Sequence, residues 1–398
     1  MTEDWLPDVV TGVRAEVTAD APDLLAVSRD IHARPETRFT EHAAAARLTG
    51  FLGERGFAVT TGVAGLPTAF RAERTFGTGG PTVAVFCEYD ALPGLGHACG
   101  HNIIAAAGAG AAVATARWLD AHGGNGRLVV LGSPGEEGGG GKVTLVDAGE
   151  LTGVAAAVMV HPAGFDAVSR TNLGRVSLEA TFTGRASHAA AAPELGRNAL
   201  DAATVLLVAI GLLRQQLRDG SRVHANVVDG GDSINVIPEH AKVSLFIRST
   251  DADYLRGRLY EAVRDCVQGA ALATGTTGEL TEVAVAYQPV RTNPVLARLA
   301  DQVFTEIGRP VDPVAGWSGP AGSTDMGNVS QVVPAIHPYL QVAPGLAIHT
   351  RDFEAAAATG DGDRAVLDGA TLVGSVVAGL LTRPELIAEA ANSLPEQP

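Results

Sequence analysis

Residues 97 to 102 read His97-Ala98-Cys99-Gly100-His101-Asn102. A thiol and an imidazole two residues apart, with a second imidazole just upstream, is a spacing that suits metal ligation. The chain holds only three cysteines and eleven histidines, so this cluster is concentrated. Gly96 and Gly100 flank it and let the backbone approach an ion closely. Glu136 and Glu137 stand side by side after an apolar run and before four glycines, Gly138 to Gly141. Neighbouring side chains on an extended segment point opposite ways. One carboxylate can therefore hold a metal while the other faces the water to be activated. That division suits hydrolysis, in which a metal lowers the pKa of water and a carboxylate takes the proton. His161 and His349 each follow another apolar stretch. Asp90 is a candidate to accept the N–H of a ligand histidine and fix its tautomer. Taken singly, these residues read as a buried thiol, a capping imidazole, surface carboxylates and loop histidines. Their joint placement argues for a site.

The elements that position them alternate. Residues 22–33 and 41–55 read as helices, stopped by Pro35 and Gly56. Runs at 82–87, 127–132 and 154–160 read as buried strands, and 101–121 and 142–149 as helices. Continuous apolar strands alternating with helices predict a mixed, largely parallel sheet covered on both faces. The three strands run into Glu88-Tyr89-Asp90, into Ser133-Pro134-Gly135-Glu136-Glu137 and into His161-Pro162. Sites in open α/β sheets form beyond the carboxyl ends of strands, so residues distant in sequence converge on one edge.

From 174 to 287 the rhythm changes to strand 176–183, helix 198–217, strands 222–228 and 241–248, helix 251–270 and strand 279–287. The order β-α-β-β-α-β is a ferredoxin-like split unit. It is expected to be inserted, leaving a discontinuous domain of 1–173 and 288–398, because helix and strand patterns resume from Pro294. Residues from Arg383 onward read as polar and frayed.

At 398 residues two domains are expected. Apolar residues make up 46%, enough for a large core. The formal charge of −15 argues against nucleic acid and against an anionic membrane surface, which would repel the chain. The N-terminus carries no basic region leading into an apolar stretch. The weakly polar run 103–116 is too short to span a bilayer. Three cysteines make no disulfide framework, and Cys87 and Cys266 read as structural. A soluble, cytoplasmic protein is the expectation. Gly94-Leu95-Gly96 with Gly100 has the wrong spacing for a dinucleotide loop, and Gly316-Trp317-Ser318-Gly319-Pro320 lacks the final glycine of a nucleophile elbow.

Across nearly its whole length the chain resembles the aminoacylase/carboxypeptidase G family of dinuclear metallopeptidases. Within it, the chain is most similar to the branch with a cysteine ligand and to its p-aminobenzoyl-glutamate hydrolase and β-alanyl dipeptidase-like subgroup. The motifs are HARPETRFTE (32–41), EYDALPGLGHACGHN (88–102), GEEG (135–138), ASHA (186–189), SINVIP (233–238), GSTDMG (322–327) and the segment Ala347 to His349. Glu88 departs from the Asp-Met-Asp common in auxin-conjugate hydrolases, which argues against that specificity.

The resemblance implies two divalent ions, Zn or Mn, bridged by Cys99. Glu137 and His349 would hold one ion, and His101 and His161 the other. Glu136 would be the general base. The inserted unit would be a lid and dimerisation domain, with His188, Asn235 and Arg248 contacting substrate. Ser323 and Thr324, in the GSTDMG motif, are further candidate substrate contacts. The activity implied is cleavage of an amide between an acyl or aminoacyl group and a free amino acid or small amine. The substrate would be p-aminobenzoyl-glutamate, a small dipeptide or an N-acyl amino acid. The alternative reading is a catalytically inactive member acting as a binding or assembly subunit, which metal analysis and an amide panel would separate.

Overall fold

The computed structural model describes residues 5–311 and 322–393; Gly316 to Pro320 therefore lie outside the described residues. Among the described residues, Thr171–Pro289 together with 322–324 form one compact unit and the rest form the other.

The larger unit is built on a six-stranded sheet in the order 58–61, 70–76, 126–132, 82–87, 154–158, 335–336. The last four strands run parallel to one another, and the first two are antiparallel at one side. Burial explains the near-continuous apolar sequence of Thr82–Cys87. Val83, Val85 and Cys87 face one core and Ala84 and Phe86 face another. The first core is closed by helices Trp5–Ala19, Ala21–His32, His101–His122 and Gly360–Thr382. The second is closed by helices Gly141–Asp147 and Met326–Val332. A side chain on Gly108 would stand 2.7 Å from Cys87 Sγ and 3.0 Å from the Phe86 carbonyl oxygen, so glycine sets how closely helix and sheet approach.

Parallel register brings the strand ends together. Cys87 pairs with Gly132, Val85 with Val158, and Val158 with Ile336. The segments that follow carry Glu88–Asp90, Ser133–Glu137, His161 and His337 along one edge of the sheet. The expected strand 154–160 ends at Val158 instead. His161–Ala163 forms a separate short strand, parallel to Tyr339–Gln341.

The other unit has a four-stranded antiparallel sheet in the order 277–282, 174–183, 240–249, 222–229. Helices Ala199–Leu213 and Tyr260–Thr274 pack on one face of it. Its last strand is Thr277–Glu282 rather than 279–287, and Tyr287 instead pairs with Arg175 as an isolated bridge.

Three further differences concern helices. The C-terminal stretch expected to be frayed folds as Pro384–Asn392, anchored by the Asn293 side-chain amide donating to the Ala390 carbonyl at 2.8 Å. Trp5–Ala19 was not expected; its valines at 9, 10, 13 and 17 are buried on one stripe. Among the described residues, two helices are long and apolar enough to cross a membrane by length and composition. In Gly360–Thr382, 83% of the most apolar window is buried within the core, whereas in Ala199–Gln216 the share is 28%.

Candidate metal centre and active site

Gly100 opens the long helix His101–His122 from a left-handed conformation, φ +77°. A side chain there would meet Pro162 Cγ at 2.6 Å. The turn places Cys99 and His101 beside His161, with Cys99 Sγ 3.5 Å from His161 Nε2. Glu137 and His349 meet from two other segments, with His349 Nε2 3.2 Å from Glu137 Oε1. His349 is a non-glycine residue at φ +63°, tied by its backbone N–H to the Ala98 carbonyl at 2.7 Å. Such a conformation costs on the order of 1–3 kcal/mol and persists where surrounding contacts enforce it.

The donor atoms fall into overlapping groups. Cys99, His101 and His161 form one; Cys99, Glu137 and His349 form another; Glu88, His101 and Glu136 form a third. Within each group the atoms lie within 4.8 Å of one another. Cys99 belongs to both of the first two. Two ligands on one tetrahedral ion, each bound at its usual length, stand roughly 3.2–3.6 Å apart. The 3.5 Å and 3.2 Å separations match that spacing. The tautomers fit as well. His161 Nδ1 donates to the Pro162 carbonyl at 2.7 Å, leaving the Nε2 lone pair toward Cys99. His101 Nδ1 faces the Asp90 carbonyl at 2.8 Å and Asp90 Oδ1 at 3.0 Å, leaving Nε2 buried without a hydrogen-bond partner. Glu137 Oε1 is likewise buried, with the His349 ring beside it. A set of soft and borderline donors with their lone pairs turned inward suits divalent cations.

Charge follows burial. Burial, with Glu88, Asp325 and Glu137 nearby, pushes the Glu136 carboxyl well above its usual range. Burial acts the same way on Glu137, but His349 and His101 outweigh it and hold that carboxyl down. Desolvation drives the Cys99 thiol upward and lowers His161 to about 4. Two adjacent carboxylates thus differ in proton affinity, one ready to carry a proton and one kept ionised.

Asp90 links the two strand ends. Its Oδ1 orients His101 and its Oδ2 accepts the Glu137 backbone N–H at 2.9 Å. Glu41, the last residue of HARPETRFTE, accepts from the Gly135 and Phe39 backbone N–H groups at 2.9 and 2.8 Å and pins the start of the glutamate loop. Sequence reasoning gave Glu41 no part in the site, and it overlooked Lys142, Asp325 and His337. Lys142, read only as a helix start, is fully buried and ion-paired to Glu88 and Asp325. The signal for it was its position directly after four glycines.

His188, Asn235, Arg248, Ser323 and Thr324 lie in the other unit. His188 pairs with Val236, and the Ala189 N–H donates to the Asn235 carbonyl at 2.9 Å, so His188 and Asn235 are neighbours. His188 Nδ1 accepts from Ala190 N and Ala191 N at 3.2 and 3.1 Å, which puts the ring proton on Nε2 of an exposed side chain. Arg248 sits opposite Arg175 across two strands, its guanidinium 4.9 Å from the Phe246 ring centroid. Burial and Arg175 lower its proton affinity. Ser323 Oγ is buried without a hydrogen-bond partner among the described residues, and Thr324 is buried.

A peptidase dimerisation domain matches residues 170–270, which fall mostly within the inserted unit. The chain is 36% identical to the Xaa-Arg dipeptidase of Mus musculus over 382 residues, covering 92% of this chain and 88% of that one. It is 36% identical to one of the polypeptides of the Escherichia coli p-aminobenzoyl-glutamate hydrolase over 315 residues, 74% of this chain and 64% of that one. Its fold is similar to that of a Bacillus subtilis protein described as a dinuclear metal binding peptidase from the M20 family, with a TM-score of 0.70 at 21% identity over 92% and 99% of the two chains. Relatives this similar over this length, together with the paired donor groups, establish that the chain belongs to the M20 family of metallopeptidases and is a metal-dependent hydrolase of amide bonds.

Proposed function

We propose that the protein releases a free amino acid from a dipeptide or an N-acyl or aminobenzoyl amino acid, using two divalent ions. The observation that supports this best is the sharing of Cys99 between two donor groups beside Glu136. Cys99 would be shared by both ions, Glu137 and His349 would hold one, and His101 and His161 would hold the other. Thiolate favours Zn, while the carboxylate and imidazoles also accept Mn. When bound, the ions supply Lewis acidity to the scissile carbonyl and the attacking water. Glu136 takes the water's proton onto its carboxylate and returns it to the leaving nitrogen. Its raised proton affinity suits a group that must both accept and donate. Asp90 keeps the His101 lone pair inward, and Glu41 fixes the loop that carries Glu136.

His188 offers an Nε2–H donor suited to a developing oxyanion, with Asn235 beside it. Arg248 with Arg175 is suited to the α-carboxylate of the amino acid released. The exposed apolar side chains Val205, Val208 and Leu212 on helix Ala199–Leu213, next to a matched dimerisation domain, support pairing of two chains through the inserted unit.

The test is a panel of dipeptides, N-acyl amino acids and p-aminobenzoyl-glutamate, each beside its C-terminal amide, presented to metal-loaded protein with released amine as readout. Free-acid members are expected to be cleaved and their amides poorly. Amine release from no member would overturn the proposal. Equal cleavage of acids and amides would overturn the carboxylate-recognition part.

A further inference from the structure

Three features remain outside the ligand set: the glutamate at position 88, the lysine that ends the glycine run, and the aspartate of GSTDMG. The structure joins them. Lys142 Nζ bonds to Glu88 Oε1 and, at 2.7 Å, to Asp325 Oδ1, while the Lys142 backbone N–H donates to Asp325 Oδ2 at 2.9 Å. All three residues are completely buried. Removing a lysine and two carboxylates from water is costly unless each is paired. Lys142 and Asp325 satisfy each other, but Glu88 is only half engaged.

The other oxygen, Glu88 Oε2, is buried without a hydrogen-bond partner. It stands 3.4 Å from His101 Nε2, which is also buried and without one. Because His101 Nδ1 already faces two acceptors on Asp90, that nitrogen carries a ring proton, and Nε2 is the atom left to present a lone pair to a bound cation. In metal-free protein burial is outweighed by Cys99 and Asp90, which raise the proton affinity of His101, so a proton can occupy this gap, and a bound cation would take that proton's place. The 3.4 Å gap falls in the roughly 3.2–3.6 Å window for two ligands of one tetrahedral ion, as do the Cys99–His161 and Glu137–His349 pairs. Glu136 places a carboxylate oxygen within 4.8 Å of a donor atom of Glu88 and of His101.

We infer that Glu88 is a further ligand of the ion held by His101, with Lys142 and Asp325 as the buried clamp that turns its free oxygen toward that ion. The inference rests on the two-ion reading above and adds a carboxylate to it. Lys142 grips one oxygen and so fixes the carboxylate plane. Asp325 holds the lysine by both its ammonium and its backbone N–H.

The experiment uses Glu88→Gln, which keeps an oxygen for Lys142 but removes the charge, and Glu88→Asp, which keeps the charge but retracts it by one methylene. Cys99→Ala is the reference. Bound metal is counted in each folded protein, affinities are measured by chelator competition, and X-ray absorption counts oxygen and nitrogen donors per ion. In both Glu88 variants one of the two ions should bind about tenfold or more weakly, and the donor count per ion should fall. Two ions held at native affinity in a folded Glu88 variant would overturn the inference. So would one weakened ion with an unchanged donor count, which would mean that Glu88 acts only by orienting His101. If Glu88→Gln does not fold, Glu88→Asp decides by the same criteria. If Cys99→Ala retains both ions at native affinity, the two-ion reading itself fails, which is separable from failure at Glu88.

Discussion

Gly100→Ala tests whether the turn before the long helix sets the metal centre. The residue sits at φ +77°, where a side chain costs roughly 1–2 kcal/mol. Its Cβ would lie 2.6 Å from Pro162 Cγ and 3.1 Å from Phe353 Cε1. At 2.6 Å something must shift, and overpacking of this kind adds about 1–3 kcal/mol. The expected loss is about 2–5 kcal/mol, read as a lower urea midpoint at unchanged slope in chelator-treated protein. Relief requires Pro162 to retreat from Gly100, which separates His161 from Cys99 and His101. Metal affinity should therefore fall together with stability, and saturating metal should recover less stability than in the wild type. Stability within about 0.5 kcal/mol of wild type with unchanged metal affinity would refute the reasoning, because the turn would then be more compliant than its contacts imply.

Four other outcomes are expected. Glu136→Gln should keep both ions and lose turnover by roughly 10² or more, whereas Glu137→Gln should lose metal; the opposite pattern on metal analysis would exchange their roles. His97 is buried and held neutral, its proton affinity lowered from 6.5 to about 3 mainly by burial. The stability this confers on metal-free protein is present above pH 6.5 and is lost as pH falls toward 3, because the unfolded chain takes up the proton first. Between pH 7 and pH 5 the wild type should lose about 2 kcal/mol more than His97→Gln in urea melts; equal losses would count against it. Val208→Asp with Leu212→Asp should give monomers by sedimentation, since both side chains are 59% exposed on one apolar helix. Mixing His188→Ala with Glu136→Gln subunits should restore activity if His188 serves the partner's site, and exchange without recovery would place it within its own chain.

Much of the candidate site was legible because several of the donors that the structure brings together follow strand ends. Thr82–Cys87 and Gly126–Gly132 announce themselves by β-branched and aliphatic content, and parallel pairing then obliges their following residues to meet. What escaped was whatever depends on burial that composition does not encode. A lysine after glycines reads as solvated, and only packing shows that Lys142 is enclosed with two carboxylates. The helix Pro384–Asn392 was hidden by its charged residues, because its anchor is one side chain on a distant segment, Asn293. Trp5–Ala19 differs, because it does carry the three- and four-residue valine spacing of a buried stripe and its signal was present in the sequence.

The bridge between Arg175 and Tyr287 bears on how the chain folds. The two residues exchange backbone hydrogen bonds of 2.8 and 2.9 Å, so the inserted unit begins and ends at one point. Strands 154–158 and 335–336 pair across that insertion. An unstructured insertion would lengthen the loop that this pairing must close. Once the inserted unit has folded, it acts as a short link, and the entropy of closure falls by about 1 kcal/mol. His161 and His349 lie on opposite sides of the same insertion. The nascent chain therefore cannot complete the second donor group, which needs His349, until the insertion has been made and the last segment emerges, whereas Cys99, His101 and His161 all precede the insertion.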